Sequence, residues 1–256
     1  MTGAFDDPIP DRLRQVRSDI DAAARAAGRS PSDVRLLLAT KTQPADRIIT
    51  AICAGYPLIG ENRVQEVVAK AAALATTPHE IHFIGHLQAN KVNRLLGRIS
   101  CLQTLDSVDL AHRLQDRLDA RDELLDVLIQ VNVSGEPTKS GVAPQAAAEL
   151  LDVASGLPRL TVRGYMTIGL NSADRSAVRA GYRLLAELRD AAISDRVPGA
   201  GQATELSMGM SDDFADAIAE GATIVRVGSA VFGPRPPAAG AAATGSGAGV
   251  PGQGTS

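Results

Sequence analysis

The residue with the clearest chemical potential is Lys41, in the stretch VRLLLATKTQ (34–43), where an aliphatic run ends and an amine surfaces. Partial burial disfavours the ammonium form, and a neutral amine can attack an aldehyde to give a Schiff base. A strand end also takes a lysine simply to meet water, so position alone leaves both readings open. The other lysines are Lys70, Lys91 and Lys139. The first two fall in helical patterns, where a solvated side chain is the default, and Lys139 lies in a loop. Lys41 alone is anchored at the end of a strand.

A second group lies in TELSMGMSDDFADAIAEGATIVRVGSAVFG (204–233). Ser207 and the turn Gly228-Ser229 offer hydroxyl and backbone N–H groups of the kind that cradle a phosphate. Ordinary turn and cap chemistry would use the same residues. Asp212-Asp213 opens the helix after Ser211, which suits the helix dipole but repels an anion. Arg226 alternates out of phase with its apolar neighbours and points toward the mouth; a buried arginine there needs a partner, a carboxylate or the nitrogen of a bound heterocycle. HFIGH (82–86) has a spacing that joins two imidazoles only on a helix, and it reads as strand and turn, so no metal site is expected. SGEPTKSG (134–141) lacks the glycine before lysine that a P-loop requires.

These residues sit at the ends of regularly spaced elements. From Val34, eight strand-like runs alternate with helix-like runs: VRLLLAT, LIGE, IHFIG, CLQTLD, DVLIQVNV, LTVRGYMTI, TELSMG and TIVRVG. Alternation of this kind implies parallel strands, and eight units match a (β/α)8 barrel, whose active sites lie where the strands end. An open doubly wound sheet is the alternative, but the first turn, TKTQPAD, has no glycine. Residues 8–28 read as an amphipathic helix that fills the outer ring where no long helix follows the eighth strand. The expected division is 1–33 for that helix, 34–235 for the barrel and 236–256 for a disordered Pro/Ala/Gly/Ser/Thr tail.

Composition narrows the classes. With 45% hydrophobic and 3% aromatic residues, the core must be aliphatic. A net charge of −3 and the absence of a Lys/Arg run argue against nucleic acid. No apolar stretch approaches the roughly 20 residues that span a membrane, and the acidic start is not a signal peptide, so a cytoplasmic protein is expected. Cys53 and Cys101 are read as two separate buried thiols.

The segments LLLATKTQP, IGENRVQE, HFIGHLQANKVNRLL, VNVSGEPTKSGV, GYMTIG and ELSMGMSDDFADAIAEGATIVRVGSAVFG resemble, in order and across nearly all of 34–233, the pyridoxal phosphate homeostasis proteins. Those have the TIM barrel of the alanine racemase N-terminal-domain type. The resemblance implies that Lys41 carries pyridoxal 5'-phosphate (PLP) as a Schiff base and that Ser207, Gly228 and Ser229 hold its phosphate. It implies that Arg226 faces the pyridine nitrogen, and that Asn62 and Met166 line the ring. An arginine there keeps the nitrogen unprotonated and weakens the ring as an electron sink. No second β domain is expected to supply a catalytic tyrosine. The implied role is thus PLP buffering or delivery, with PLP-dependent apoenzymes as the implied recipients, by a monomer or weak dimer. A racemase-like enzyme is the alternative, and a Schiff-base aldolase a third reading.

Overall fold

The computed structural model describes residues 8–233. The tail expected over 236–256 lies outside the described residues. Eight parallel strands close into a barrel in chain order: β1 Arg35–Ala39, β2 Leu58–Glu61, β3 Glu80–Phe83, β4 Cys101–Leu105, β5 Leu125–Gln130, β6 Leu160–Met166, β7 Glu205–Ser207 and β8 Ile224–Val227. The barrel closes through β1 on β8, with Leu37 opposite Arg226. The outer ring comprises α1 Ile9–Ala26, α2 Ala45–Cys53, α3 Val64–Leu74, α4 Val92–Leu95, α5 Val108–Asp119, α6 Ala147–Ser155, α7 Arg175–Ser194, α8 Phe214–Ala219 and α9 Ser229–Phe232.

α1 buries Ile9, Leu13, Val16, Ile20 and Ala24, one apolar stripe at helical spacing. It packs on α2, α8 and α9 and so spans the seam between the last and first units of the barrel. The pleat divides each strand between two cores. Leu36, Leu38, Val225 and Val227 join the large core under the helices, whereas Leu37 and Ile224 pack inside the barrel with Leu58 and Ile84. A second small interior cluster holds Cys101, Leu128 and Met166. Arg226 therefore shares its inward face with Ile224 rather than opposing it, as β alternation requires for residues two apart.

Polar side chains run through the barrel interior, where His82, Gln103, Ser207 and Arg226 are all buried. Two readings of the sequence need correction here. Cys101 is buried but Cys53, at the end of α2, is exposed. Lys70 is not solvated: its side chain is 12% exposed and folds back over the end of β1.

Candidate functional site

Lys41 follows β1 by two residues, and the turn around it is fixed from several directions. Thr40 donates its N–H to Gly60 O at 2.9 Å and its hydroxyl to Glu61 Oε1 at 2.6 Å. Thr42 adopts φ 64°, a conformation uncommon for a β-branched residue, and donates its N–H to Glu66 Oε2 at 2.7 Å. Lys70 Nζ joins the pieces by donating to Thr40 O at 2.9 Å, Glu61 Oε1 at 2.8 Å and Glu66 Oε2 at 3.2 Å. Burial pushes the Glu61 carboxyl above its ordinary range, against the pull of Lys70 and Thr40. For Glu66 burial acts the same way, but the Thr42 N–H and Lys70 together outweigh it and hold the carboxyl low. The Lys41 turn is thus bolted to β2 and α3 by a clamp of one cation and two carboxylates.

Across the mouth, Arg226 is buried at the end of β8. Nη1 donates to Ser207 Oγ at 2.8 Å and Nη2 to Thr167 O at 2.7 Å. Neither acceptor is charged. Burial lowers the guanidinium to about 10, with Tyr182 and Asp213 acting in the opposite direction, so it stays a cation at neutral pH. Past β8 the chain enters α9, whose first N–H groups have no intrahelical partner. Gly228 starts it in a tight approach, where a Cβ would lie 3.0 Å from Ala39 O. Ser229 Oγ is 3.4 Å from Ser211 Oγ, so two hydroxyls meet beside those amides.

Lys41, Asn62, Met166, Arg226, Gly228 and Ser229 all line one cavity of about 470 Å³, with Ser211, Met210, Ile84 and Ile168. Asn62 is held there by close backbone contact: a Cβ on Gly85 would collide with the Asn62 carbonyl. Its Oδ1 is a buried acceptor without a donor among the described residues.

Ser207 stands apart. It is fully buried and does not line the cavity. Its hydroxyl accepts from Arg226 and donates to Gln103 Oε1 at 2.6 Å, so it braces the arginine from below. Ser211, named only as part of the turn after β7, occupies the rim in its place.

Other strand-end candidates are engaged elsewhere. His86 Nδ1 lies 3.4 Å from Asp106 Oδ2, whose carboxyl is raised chiefly by burial, and Ser107 caps α5 through Leu110 N–H. Asn132 donates to the carbonyls of Glu136 and Lys139 and shapes its own loop. Lys139 Nζ donates to Glu136 Oε1 at 2.7 Å and Gly169 O at 3.2 Å, and lines a neighbouring depression of about 320 Å³. No cluster of three or more His, Cys, Asp or Glu suited to a metal occurs among the described residues. No helix among them is long and apolar enough to cross a membrane.

Sequence reasoning missed the Lys70 clamp and the partners of Arg226. The one available signal was Gln103, a polar residue in the middle of CLQTL, all of whose residues are buried.

Comparison with known proteins bears on the same region. The family described as alanine racemase, N-terminal domain, matches residues 12–236. A pyridoxal phosphate homeostasis protein of Pseudomonas aeruginosa is 41% identical over 227 residues, covering 89% of this chain and 96% of the relative. An unknown protein from Bifidobacterium adolescentis has a crystal structure that superposes with a TM-score of 0.85 at 40% identity, covering 90% of this chain and 98% of that one. PipY of Synechococcus elongatus, solved with PLP bound, superposes with a TM-score of 0.77 at 32% identity, covering 88% and 100%. With its closed eight-stranded barrel and these relatives, the chain belongs to the pyridoxal phosphate homeostasis protein family, built on the alanine racemase N-terminal-domain barrel.

Proposed function

We propose that the protein binds PLP in the 470 Å³ cavity, covalently through Lys41, and serves to buffer or deliver it. The observation that carries this reading is the convergence on one cavity of Lys41, Arg226 and the Ser211/Ser229 pair, which suits a small anionic heterocyclic aldehyde. The volume falls within the range of small-molecule sites. The orphaned Oδ1 of Asn62 fits a ligand with a polar substituent to donate. The PipY relative with PLP bound supports the same ligand.

PLP, when bound, supplies an aldehyde that a primary amine can capture with loss of water. Lys41 provides that amine, on a turn immobilised by the Lys70 clamp. Ser211, Ser229 and the opening amides of α9 give an anion neutral donors. Asp212, which also lines the cavity, limits how much negative charge that rim tolerates. Arg226 presents a donor-only group that is charged at neutral pH. Facing a ring nitrogen, it would hydrogen-bond without protonating it and so leave the ring a poor electron sink. Met166 and Ile84 supply apolar walls. In this reading residues 34–235 are the binding barrel, residues 1–33 provide its packed helix, and the recipients are PLP-dependent apoenzymes.

A carrier rather than a racemase is favoured by the tyrosines. Tyr165 is buried in the outer core, its hydroxyl without a partner among the described residues, and Tyr182 donates to Asp213 Oδ2 at 2.7 Å. Tyr56 packs at α2, so no tyrosine lines the cavity among the described residues. Titration with PLP should give a long-wavelength absorption band that Lys41→Ala abolishes. NMR in heavy water should detect no fast, Lys41-dependent exchange of the α-hydrogen of common amino acids. Exchange with inversion would make the protein a racemase.

A further inference from the structure

Arg226 is a buried cation that touches no carboxylate among the described residues, an arrangement that is costly unless a counter-charge acts on it. Asp213, which binds Tyr182, contributes from the side of α7 and α8. A hydrogen-bonded chain also leads from it to a carboxylate at the other end of the barrel. Arg226 Nη1 donates to Ser207 Oγ (2.8 Å), Ser207 Oγ donates to Gln103 Oε1 (2.6 Å) and Gln103 Nε2 donates to His82 Nδ1 (2.7 Å). His82 Nε2 reaches Glu80 Oε1 at 2.7 Å. Glu80 opens β3, and its other oxygen receives Arg35 Nη2 at 2.7 Å, where β1 begins. The chain thus crosses the barrel from the mouth, where the strands end, to the face where they start.

Its direction follows from the groups themselves. Arg226 can only donate. Ser207 must therefore accept from it, and the buried serine hydrogen needs an acceptor, which Gln103 Oε1 supplies. The opposite amide orientation would face Ser207 with a second donor. With Oε1 so used, Gln103 presents its NH₂ to His82, whose Nδ1 must accept. The imidazole hydrogen is then on Nε2 and points at Glu80. Every group turns its negative end toward Arg226, and hydrogen bonds aligned in this way polarise one another.

We propose that Ser207, Gln103 and His82 form a one-way relay of hydrogen-bond dipoles that ties Arg226, at the cavity, to the carboxylate of Glu80 on the far face of the barrel. The three are positioning residues: none lines the cavity, and each acts on it only through Arg226. Glu80 thereby influences a site it never touches. The consequence for PLP rests on the function proposed above; the relay itself does not.

Glu80→Gln tests this most cleanly. It preserves a group that can accept from His82 but removes the charge and the obligation to accept, and Glu80 is 41% exposed, so folding is not at stake. Nitrogen-15 NMR of the full-length protein, with only four histidines to assign, reads the His82 tautomer. The parent should show the single Nε2–H form. Glu80→Gln should show a mixture, together with hydrogen exchange at the Arg226 guanidinium faster by about fivefold, the order expected when one bond of a cooperative chain weakens. Gln103→Leu should accelerate the same exchange without altering the Glu80 end. A parent His82 protonated on Nδ1, or Arg226 exchange indifferent to Glu80→Gln, overturns the relay. With PLP added, Glu80→Gln should also shift the absorption band. A parent that shows the tautomer and exchange pattern but no PLP band upholds the relay and sinks the PLP reading.

Discussion

Two cations sit at the mouth of this barrel, Arg226 buried and Lys70 partly so, and they are partnered in opposite ways. Lys70 meets two carboxylates directly, Glu61 at 2.8 Å and Glu66 at 3.2 Å. Among the described residues, Arg226 donates to Ser207 Oγ and Thr167 O, neither of them charged. The first arrangement consumes its charge within the protein and yields a rigid support for the turn that carries Lys41. The second leaves the positive charge available to the cavity and spends its hydrogen bonds on aiming it. Mutations in the two regions should therefore separate stability from binding.

The largest stability effect is expected for Glu61→Ala. It strips Lys70 and Thr40 of a shared buried acceptor, and breaking a buried pair costs about 3–5 kcal/mol. A fall in Tm of roughly 2–4 °C per kcal/mol should follow for a domain this size. A loss below about 1 kcal/mol in thermal denaturation would mean that the clamp does not hold the mouth together.

Lys70→Met probes the same clamp from the other side and carries a pH signature. Burial already raises Glu61, and without Lys70 the carboxyl rises further. A carboxyl whose folded pKa exceeds its unfolded one binds more protons in the folded state between those two values. Stability in that window falls as pH rises. Lys70→Met should thus be most destabilised, relative to the parent, above the raised pKa, and should recover as pH falls toward the ordinary carboxylate range. Urea melts at pH 8 and pH 5 would show it; an equal deficit at both would place the cost elsewhere.

At Arg226 the balance should reverse. Arg226→Met leaves Ser207 and Thr167 short of a donor, a cost of about 1–2 kcal/mol, smaller than at Glu61. The PLP-induced spectrum should nevertheless change markedly, and a spectrum identical to the parent's would put Arg226 away from the ring. Ser211→Ala and Ser229→Ala should leave Tm unchanged and raise the Kd for PLP by about tenfold each, the value of one charge-assisted hydrogen bond. Equal binding by both variants would move the phosphate off this rim.

The difference between the regions also explains what the sequence disclosed. Period-two strands and helical stripes are local patterns, so the eight units, α1 and the position of Lys41 at a strand end were all legible. Lys70 was misread because the helical pattern of α3 says nothing about a strand end thirty residues earlier in the chain. Ser207 reads as a cradle residue because it ends β7, but the pleat turns its side chain inward, beneath Arg226. The relay was invisible for the same reason: its members come from β3, β4, β7 and β8, and Gln103 and Ser207 are 104 residues apart. Four-residue α9 is too short to carry any periodicity and read as a turn.

The function proposed for the cavity turns on Lys41 being the amine that captures PLP. Borohydride reduction of the PLP-treated protein, followed by peptide mass mapping, tests it most directly, because reduction makes the linkage permanent at whichever lysine holds it. A single phosphopyridoxyl mass is expected on the peptide containing Lys41, lost in Lys41→Ala. Stoichiometric label on Lys139 or Lys70 instead, or none at all under saturating PLP, would contradict it.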